Sequence, residues 1–183
     1  MRKRNIILVD DEPAVLSALQ RILHNVNYNL IMCASVAEAK IEIEKMRDLI
    51  DVVISDNRMP ECSGVDFLSE LRRVYPEIVR IMLTGHSDLE DAKKAINDGQ
   101  VYRFLLKPCD ADEMRTTVRH ALAHKDLWEE NRTLLKKVEE HEKILNEIET
   151  KYPGIMEIKK DSLGIIEIED DSTSLDDFLK KYF

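Results

Sequence analysis

Five short apolar runs, separated by stretches with helical spacing, constrain the fold of this chain more than any other feature. The runs are NIILV (5–9), NLIMCA (29–34), VVIS (52–55), IVRIML (78–83) and VYRFLL (101–106). Continuous apolar runs of this length, bounded by acids, Gly and Pro, are typical of buried strands in a parallel sheet. We therefore predict five parallel strands.

Four amphipathic stretches lie between these runs and predict helices, because their apolar side chains recur three or four residues apart. The apolar positions are Val15, Leu19, Ile22 and Leu23; Val36, Ala39, Ile43 and Met46; Val65, Leu68 and Leu71; and Leu89, Ala92 and Ile96. Ser35 and Ser87 stand where N-caps are expected, and Pro13 suits a first helical turn. The alternation predicts the α/β class, with a doubly wound five-stranded parallel sheet.

Polar side chains follow four of the five predicted strands. Functional sites in doubly wound sheets lie beyond the carboxyl ends of the strands. The residues found there are Asp10, Asp11 and Glu12 after the first run, Asp56 after the third, Thr84 after the fourth and Lys107 after the fifth. Clustered carboxylates repel one another and favour a hard cation such as Mg²⁺. A carboxylate beside Mg²⁺ and a lysine is also a competent nucleophile toward phosphorus.

Each of these residues has an ordinary interpretation when it is taken alone. Asp10 and Asp11 could cap a helix, Thr84 could be a strand-end hydroxyl, and Lys107 could be a solvated charge. Their joint arrangement at strand ends favours the catalytic interpretation. A phosphate-binding enzyme is the rival, but the chain lacks a GxxxxGK[ST] loop.

Residues 5 to about 122 resemble the CheY-like receiver domain of two-component response regulators. The motifs that carry the resemblance are LVDDE, SDNRMPECSG, MLTGH and FLLKP, in that order. The resemblance implies a flavodoxin-like fold and a Mg²⁺-dependent phosphorylation of Asp56. It implies no enzymatic activity beyond phosphorylation and dephosphorylation of this aspartate. The implied phosphodonor is a cognate histidine kinase or a phosphotransfer protein.

The same resemblance assigns roles to individual residues. Asp10, Asp11, Asp56 and the backbone carbonyl of Arg58 would hold the Mg²⁺ ion. Asp56, Thr84 and Lys107 would be the catalytic residues, and Thr84 and Tyr102 the switch pair. The Lys107–Pro108 bond would be cis. Gly64 matches the glycine of the turn before the third helix, whereas Gly85 departs from the small residue, often Ala, that commonly follows the threonine.

A long helix is predicted to follow, from Asp110 to about Thr150, because this span contains neither Gly nor Pro. We expect a receiver domain over 1–122 and an extended helix, interpreted as a coiled coil, over 123–150. One heptad register holds Leu127, Leu134, His141 and Ile148, and the other holds Asn131, Val138 and Leu145. An Asn at an a position favours a parallel dimer in fixed register. Trp128 and Leu135 widen the apolar stripe, so packing of the helix on the chain's own tail stays open.

Residues 151–183 predict a small α+β tail. The segment IMEIKKDSLGIIEIEDD alternates apolar and polar residues around a Gly-containing turn and suits a β-hairpin. In the final SLDDFLKKYF, Leu175, Phe178, Leu179 and Tyr182 have helical spacing. We expect the tail to contribute to signalling by dimerisation or protein–protein contact, with a downstream partner that the sequence does not name.

Composition excludes several function classes. The formal net charge is −9, which argues against broad electrostatic binding to nucleic acid or to an anionic membrane. No apolar run reaches the roughly 20 residues of a membrane helix, and the apolar part of the opening MRKRNIILVDDE is too short for a signal peptide. The three cysteines lack CxxC spacing and predict reduced thiols in a cytoplasmic protein.

Two alternatives to signalling by dimerisation or protein–protein contact stay open. One is a DNA-binding transcriptional regulator with an unusual output tail, and the other is a phosphorelay intermediate or phosphate sink.

Overall fold

The computed structural model describes residues 3–60, 62–85 and 101–151, and its strands form one parallel five-stranded sheet. The strands are β1 (Arg4–Val9), β2 (Tyr28–Cys33), β3 (Ile50–Asp56), β4 (Val79–Thr84) and β5 (Arg103–Leu106). All neighbouring strands pair in parallel, in the order β2-β1-β3-β4-β5. The predicted fold class is confirmed.

Four α-helices are described around this sheet. They are α1 (Pro13–Leu23), α2 (Val36–Met46), α3 (Gly64–Val74) and α4 (Ala111–Lys151), and a short 3-10 helix, Arg47–Leu49, follows α2. The predicted helix with Leu89, Ala92 and Ile96, and its cap Ser87, lie outside the described residues. The predicted hairpin and helix after residue 151 lie outside them too.

Two apolar layers pack on opposite faces of the sheet. One contains Ile7, Val53 and Met82 from the strands with residues of α2 and α3. The other contains Ile6, Ile54 and residues of α1 and α4. Every residue of β3 is buried, as expected for a strand covered by helices on both faces. Because β3 runs through the core, its last residue, Asp56, lies at the edge of the sheet in a largely buried position.

Helices α1 and α2 begin where Pro13 and Ser35 predict, and the buried face of α1 is shifted slightly from the predicted one. Pro13 opens α1, and the Ser35 side chain accepts a hydrogen bond from the Glu38 backbone N–H at the start of α2. The Ser63 hydroxyl caps α3 in the same way, accepting from the Asp66 N–H at 3.1 Å. In α1 the buried residues are Leu16, Leu19 and Leu23, because the apolar stripe is wider than the contact with the sheet.

Helix α4 is far longer than its contact with the sheet requires. Its 41 residues span about 60 Å at about 1.5 Å per residue. Its buried residues all lie between Met114 and Lys125, whereas large apolar side chains beyond them are exposed. These exposed side chains are Leu127, Trp128, Leu134, Leu135, Val138, Ile144, Leu145 and Ile148.

The chain divides into two units, Met1–Arg132 and Thr133–Phe183, so the division falls inside α4. The predicted domain boundary after residue 122 stays a prediction. Among the residues that the structure describes, no helix combines the length and the apolar character needed to cross a bilayer. Cys33, Cys62 and Cys109 are free thiols.

Candidate functional site

Two buried carboxylates and one lysine meet at the carboxyl-terminal edge of the sheet. Asp10 directly follows β1 and is fully buried, and Asp56 ends β3 with 6% of its surface exposed. Lys107 directly follows β5, and its backbone N–H donates to the Thr84 carbonyl at 2.8 Å. Asp10, Asp56 and Lys107 therefore lie together at one edge of the sheet, as the sequence predicts for the ends of these strands.

The Lys107 ammonium bridges the two aspartates. Its Nζ lies 2.7 Å from Asp10 Oδ2 and 2.6 Å from Asp56 Oδ1. The other oxygens accept backbone hydrogen bonds at 2.9 Å, Asp10 Oδ1 from Glu12 and Asp56 Oδ2 from Arg58. Burial lowers the pKa of Lys107, but its hydrogen bonds to Asp10 and Asp56 outweigh this effect and leave the pKa raised. The lysine is therefore charged at neutral pH and compensates one of the two negative charges.

The backbone beside Asp56 is held by a close turn. The Asn57 N–H donates to the Leu83 carbonyl, and the Gly64 N–H donates to the Asn57 carbonyl, each at 2.9 Å. A Cβ atom at Gly64 would lie 2.1 Å from the Asp56 carbonyl oxygen, so only glycine allows this approach. The turn fixes where Asp56 emerges from the sheet, and it explains the glycine that the sequence places there.

Thr84 lies at the end of β4, one strand from Asp56. Its side chain is fully buried, and its hydroxyl is 3.4 Å from the Gly85 carbonyl oxygen. A contact this long is a weak hydrogen bond. The hydroxyl can therefore exchange this acceptor for a stronger one at little cost.

Two of the three carboxylates that the sequence predicts as Mg²⁺ ligands lie beside each other, and the third does not share their contact with Lys107. Asp10 and Asp56 share one ammonium, whereas Asp11 is exposed. Within residues 3–60, 62–85 and 101–151, no group of three or more His, Cys, Asp or Glu side chains could hold a metal ion by itself. Mg²⁺ commonly keeps several waters and takes one or two carboxylates together with substrate phosphate. The oxygen donors and excess negative charge of Asp10, Asp11 and Asp56 fit that mode of binding.

Tyr102 is not brought together with Thr84. It precedes β5, and its N–H donates to the carbonyl of Arg80, near the amino-terminal end of β4. At about 3.3 Å per residue, the four residues from Arg80 to Thr84 separate Tyr102 from Thr84 by about 13 Å. The Tyr102 ring instead lies 5.0 Å from the His124 ring on α4. This geometry does not support the predicted Thr84–Tyr102 pair.

The aromatic side chain of β5 closer to Thr84 is Phe104, which sequence reasoning missed. Phe104 pairs with Met82, two residues before Thr84, and is partly buried against the layer formed with α2 and α3. Positions 102, 104 and 106 share one face of an extended run, so periodicity alone does not choose between the two aromatic residues. The position of the strand start decides between them.

A separate ion-pair cluster lies at the opposite, amino-terminal edge of the sheet. The Arg4 guanidinium contacts buried Asp51 at 3.2 Å and Asp126 of α4 at 2.5 Å. Asp51 also accepts the Asn5 N–H at 2.9 Å. This cluster joins β1, β3 and α4. It gives Asp51, the other buried aspartate of β3, a structural role through its contact with Arg4.

Comparison with known protein families decides the identity of the fold. The model of the response regulator receiver domain matches residues 6–119. This chain belongs to the response regulator receiver family. The match ends within α4, so the family accounts for the sheet and its edge site and not for the rest of the long helix.

Curated relatives share the receiver portion. The hydrogenase transcriptional regulatory protein HoxA of Cupriavidus necator is 35% identical over 126 residues, which cover 69% of this chain and 26% of that protein. The transcriptional regulatory protein GlrR of Escherichia coli is 36% identical over 118 residues, covering 64% of this chain and 26% of that protein. The chain thus spans about a quarter of the length of these relatives.

Solved structures agree with the receiver fold. A response regulator receiver domain protein from Clostridium thermocellum has a TM-score of 0.65 and 31% identity, over 68% of this chain and 98% of that chain. A structure described as adenylate cyclase from Rhodopirellula baltica has a TM-score of 0.69 and 36% identity, over 74% of this chain and 98% of that chain. The receiver fold of the described residues is therefore well matched.

Proposed function

We propose that this receiver accepts a phosphoryl group on Asp56 and signals through its long helix. The observation that carries the proposal is the Lys107 ammonium held between Asp10 and Asp56, at 2.7 and 2.6 Å. A lysine so placed offsets the negative charge at this edge of the sheet in the free protein. It can then pair with the oxygens of the phosphoryl group as that group is transferred to Asp56.

Asp56 is the acceptor that this geometry favours among the three acids. Asp10 is fully buried, so its carboxylate has no opening to a phosphodonor in solvent. Asp11 is exposed, without a buried environment to exclude water. Asp56 alone combines burial by the sheet with a small opening to solvent, since 6% of its surface is exposed.

The transfer step forms one bond and breaks one. An oxygen of Asp56 bonds to phosphorus while the bond from phosphorus to the donor's histidine nitrogen breaks, and its electron pair leaves with the imidazole. Lys107 moves with the charge, and the weakly bonded Thr84 hydroxyl donates to a phosphoryl oxygen. Mg²⁺, held by Asp10, Asp11, Asp56 and the Arg58 carbonyl, would neutralise charge on the transferring group. The donor is a histidine kinase or a phosphotransfer protein.

The output proposed for this switch is dimerisation or partner contact through α4. Leu134, Val138 and Leu145 are 53%, 52% and 48% exposed, and they occupy the a and d positions of the heptad pattern. Apolar side chains repeated at these positions favour a coiled coil with a second copy of the chain. Beyond its own phosphorylation and dephosphorylation, we propose no enzymatic activity.

A transcriptional role is the second candidate, because HoxA and GlrR are named as transcriptional regulatory proteins. The chain covers 26% of each, and the shared part is the receiver. A DNA-binding role would therefore rest on residues beyond the match. A salt-sensitive gel shift with the full chain would favour this candidate over signalling through protein contact.

The proposal is tested by incubating the full chain with acetyl phosphate and Mg²⁺ and measuring the intact mass. We expect a gain of one phosphoryl group in the wild type, no gain in Asp56→Asn, and no gain with EDTA. Asp112→Asn, which alters an exposed aspartate of α4, is the matched control and should gain the group like the wild type. A gain that persists in Asp56→Asn would exclude Asp56 as the acceptor.

A further inference from the structure

Asn57, the residue that follows Asp56, carries a buried side-chain oxygen that the proposed phosphoryl chemistry does not use. Only 7% of the surface of Asn57 is exposed. Among the residues that the structure describes, no group donates a hydrogen bond to its Oδ1 atom. Most buried polar side-chain atoms are hydrogen-bonded, and an unpaired buried carbonyl oxygen costs free energy because it has lost its water. A donor that reaches this oxygen would therefore stabilise the protein.

The backbone of Asn57 is fixed on both sides. Its N–H donates to the Leu83 carbonyl, and its carbonyl accepts from the Gly64 N–H, each at 2.9 Å. The turn is also closely packed, since a Cβ atom at Gly64 would lie 2.1 Å from the Asp56 carbonyl oxygen. The amide side chain of Asn57 is therefore held at the carboxyl-terminal end of β3.

The strand register places Thr84 next to Asn57. Asp56 pairs with Leu83 in the ladder between β3 and β4, and Asn57 and Thr84 are the residues that follow this pair. Neighbouring strands lie about 4.8 Å apart, and side chains at paired positions leave the sheet on the same face. Thr84 is fully buried. Its hydroxyl and the Asn57 amide are therefore neighbours that are both shielded from water.

Neither of these side chains has a good hydrogen bond in the described geometry. The Thr84 hydroxyl lies 3.4 Å from the Gly85 carbonyl oxygen, which is long for an O–H donor. A hydroxyl can turn its hydrogen toward whichever acceptor is better placed. A side-chain rotation that joins the hydroxyl to Asn57 Oδ1 would replace a weak contact and pair the buried oxygen. Both groups therefore gain from the same hydrogen bond.

We propose that Asn57 is a positioning residue that holds the Thr84 hydroxyl in the unphosphorylated protein. This inference rests on the phosphorylation of Asp56 proposed above and adds regulation to the same site. A hydroxyl has one hydrogen, so Thr84 donates either to Asn57 Oδ1 or to a phosphoryl oxygen on Asp56. When Thr84 turns to the phosphoryl group, the Asn57 oxygen loses its donor. Asn57 therefore opposes the phosphorylated conformation, and its removal favours that conformation.

Beryllofluoride mimics the phosphoryl group and measures this competition as a dissociation constant. It is titrated into the full-length protein with Mg²⁺ while the heat of binding is recorded. Asn57→Leu removes the oxygen at similar side-chain volume. We expect it to bind beryllofluoride about three- to tenfold more tightly than the wild type, as loss of one neutral hydrogen bond from the free protein predicts. Asn57→Ala should act in the same direction and serves if Asn57→Leu does not fold.

Variants of Thr84 show whether the effect belongs to this pair of residues. In a Thr84→Val background, Asn57→Leu should leave the dissociation constant of beryllofluoride unchanged, because the donor is absent. In Thr84→Ser, which keeps a hydroxyl, Asn57→Leu should again tighten binding. The inference is overturned if Asn57→Leu does not tighten binding in the wild-type background, or if it tightens binding equally in Thr84→Val.

The result also separates this inference from the function proposed above. If the wild type gains a phosphoryl group on Asp56 but Asn57→Leu binds beryllofluoride no more tightly, phosphorylation stands and the role of Asn57 is wrong. If the wild type neither gains a phosphoryl group nor binds beryllofluoride, both proposals are wrong.

Discussion

At the scale of single residues, the Lys107 ammonium makes the edge site stable as well as reactive. Two buried carboxylates close enough to share one ammonium would repel each other without it. The lysine side chain is 25% exposed, so the pair is only partly screened by solvent. The same residue therefore contributes to folding and to the proposed chemistry.

Replacing Lys107 by Met should remove both contributions. We expect phosphorylation of Asp56 to be lost and the free energy of unfolding to fall by about 2 kcal/mol, less than for a fully buried pair. Urea unfolding in EDTA measures the second effect. Lys40→Met, which breaks the exposed Lys40–Glu70 pair, is the control and should cost less than about 1 kcal/mol. An equal loss of unfolding free energy in Lys107→Met and Lys40→Met would contradict this role of Lys107.

The raised pKa of Lys107 also predicts an alkaline dependence of stability. A lysine whose pKa is raised by folding contributes fully below its unfolded value, and the contribution disappears as the pH rises through the folded value. The free energy of unfolding of the wild type should therefore fall more steeply above pH 10.5 than that of Lys107→Met. Parallel curves for the two proteins above this pH would show that folding does not raise the pKa.

At the scale of elements, the turn between β3 and α3 aligns the acceptor. A methyl group at Gly64 would meet the Asp56 carbonyl oxygen at 2.1 Å, and backbone must shift to accept it. Gly64→Ala should lower the free energy of unfolding by about 1–3 kcal/mol and slow phosphorylation of Asp56. Ser63→Ala removes the cap of α3 and the hydroxyl's hydrogen bond to the Asp66 side chain, at a cost of about 1 kcal/mol, and should leave the phosphorylation rate unchanged. A normal rate in Gly64→Ala would refute the alignment role.

In the part of the chain that the structure describes, the strands and helices followed from periodicity, but the start of β5 did not. The run VYRFLL is apolar from Val101, whereas the strand begins at Arg103, the first residue that pairs in register with β4. Lys125 was equally invisible, since a lysine in a charged helix predicts a solvated side chain, yet it is 2% exposed. Both features depend on contacts between distant segments, which local patterns do not encode. The edge site was predictable because parallel strand ends must converge.

The position of β5 leads to a comparison of two aromatic residues. If an aromatic side chain responds to phosphorylation together with Thr84, proximity favours Phe104 over Tyr102. Phe104→Ala should therefore reduce the change in hydrogen exchange that beryllofluoride, a stand-in for the phosphoryl group, causes in β4 and β5. Tyr102→Ala should leave it close to that of the wild type. If Tyr102→Ala instead reduced this change in hydrogen exchange more than Phe104→Ala, Tyr102 would be the switch residue, as predicted from the sequence.

At the scale of the whole molecule, the long helix carries the proposed output. If its exposed apolar residues form a coiled coil, a charge at a d position should disrupt it. Leu134→Glu should therefore be monomeric by light scattering under conditions where the wild type is a dimer. Lys136→Glu, at an exposed position outside the seam, should remain a dimer. A wild type that stays monomeric with and without beryllofluoride would remove dimerisation from the account.

The most direct test of the central claim is to locate the phosphoryl group itself. The full chain is phosphorylated with acetyl phosphate and Mg²⁺, treated with borohydride, which reduces an aspartyl phosphate to homoserine, and mapped by peptide mass spectrometry. The account predicts conversion at Asp56 alone, and none in Lys107→Met. Conversion at Asp10 or Asp11, or phosphorylation of Asp56 without Lys107, would contradict it.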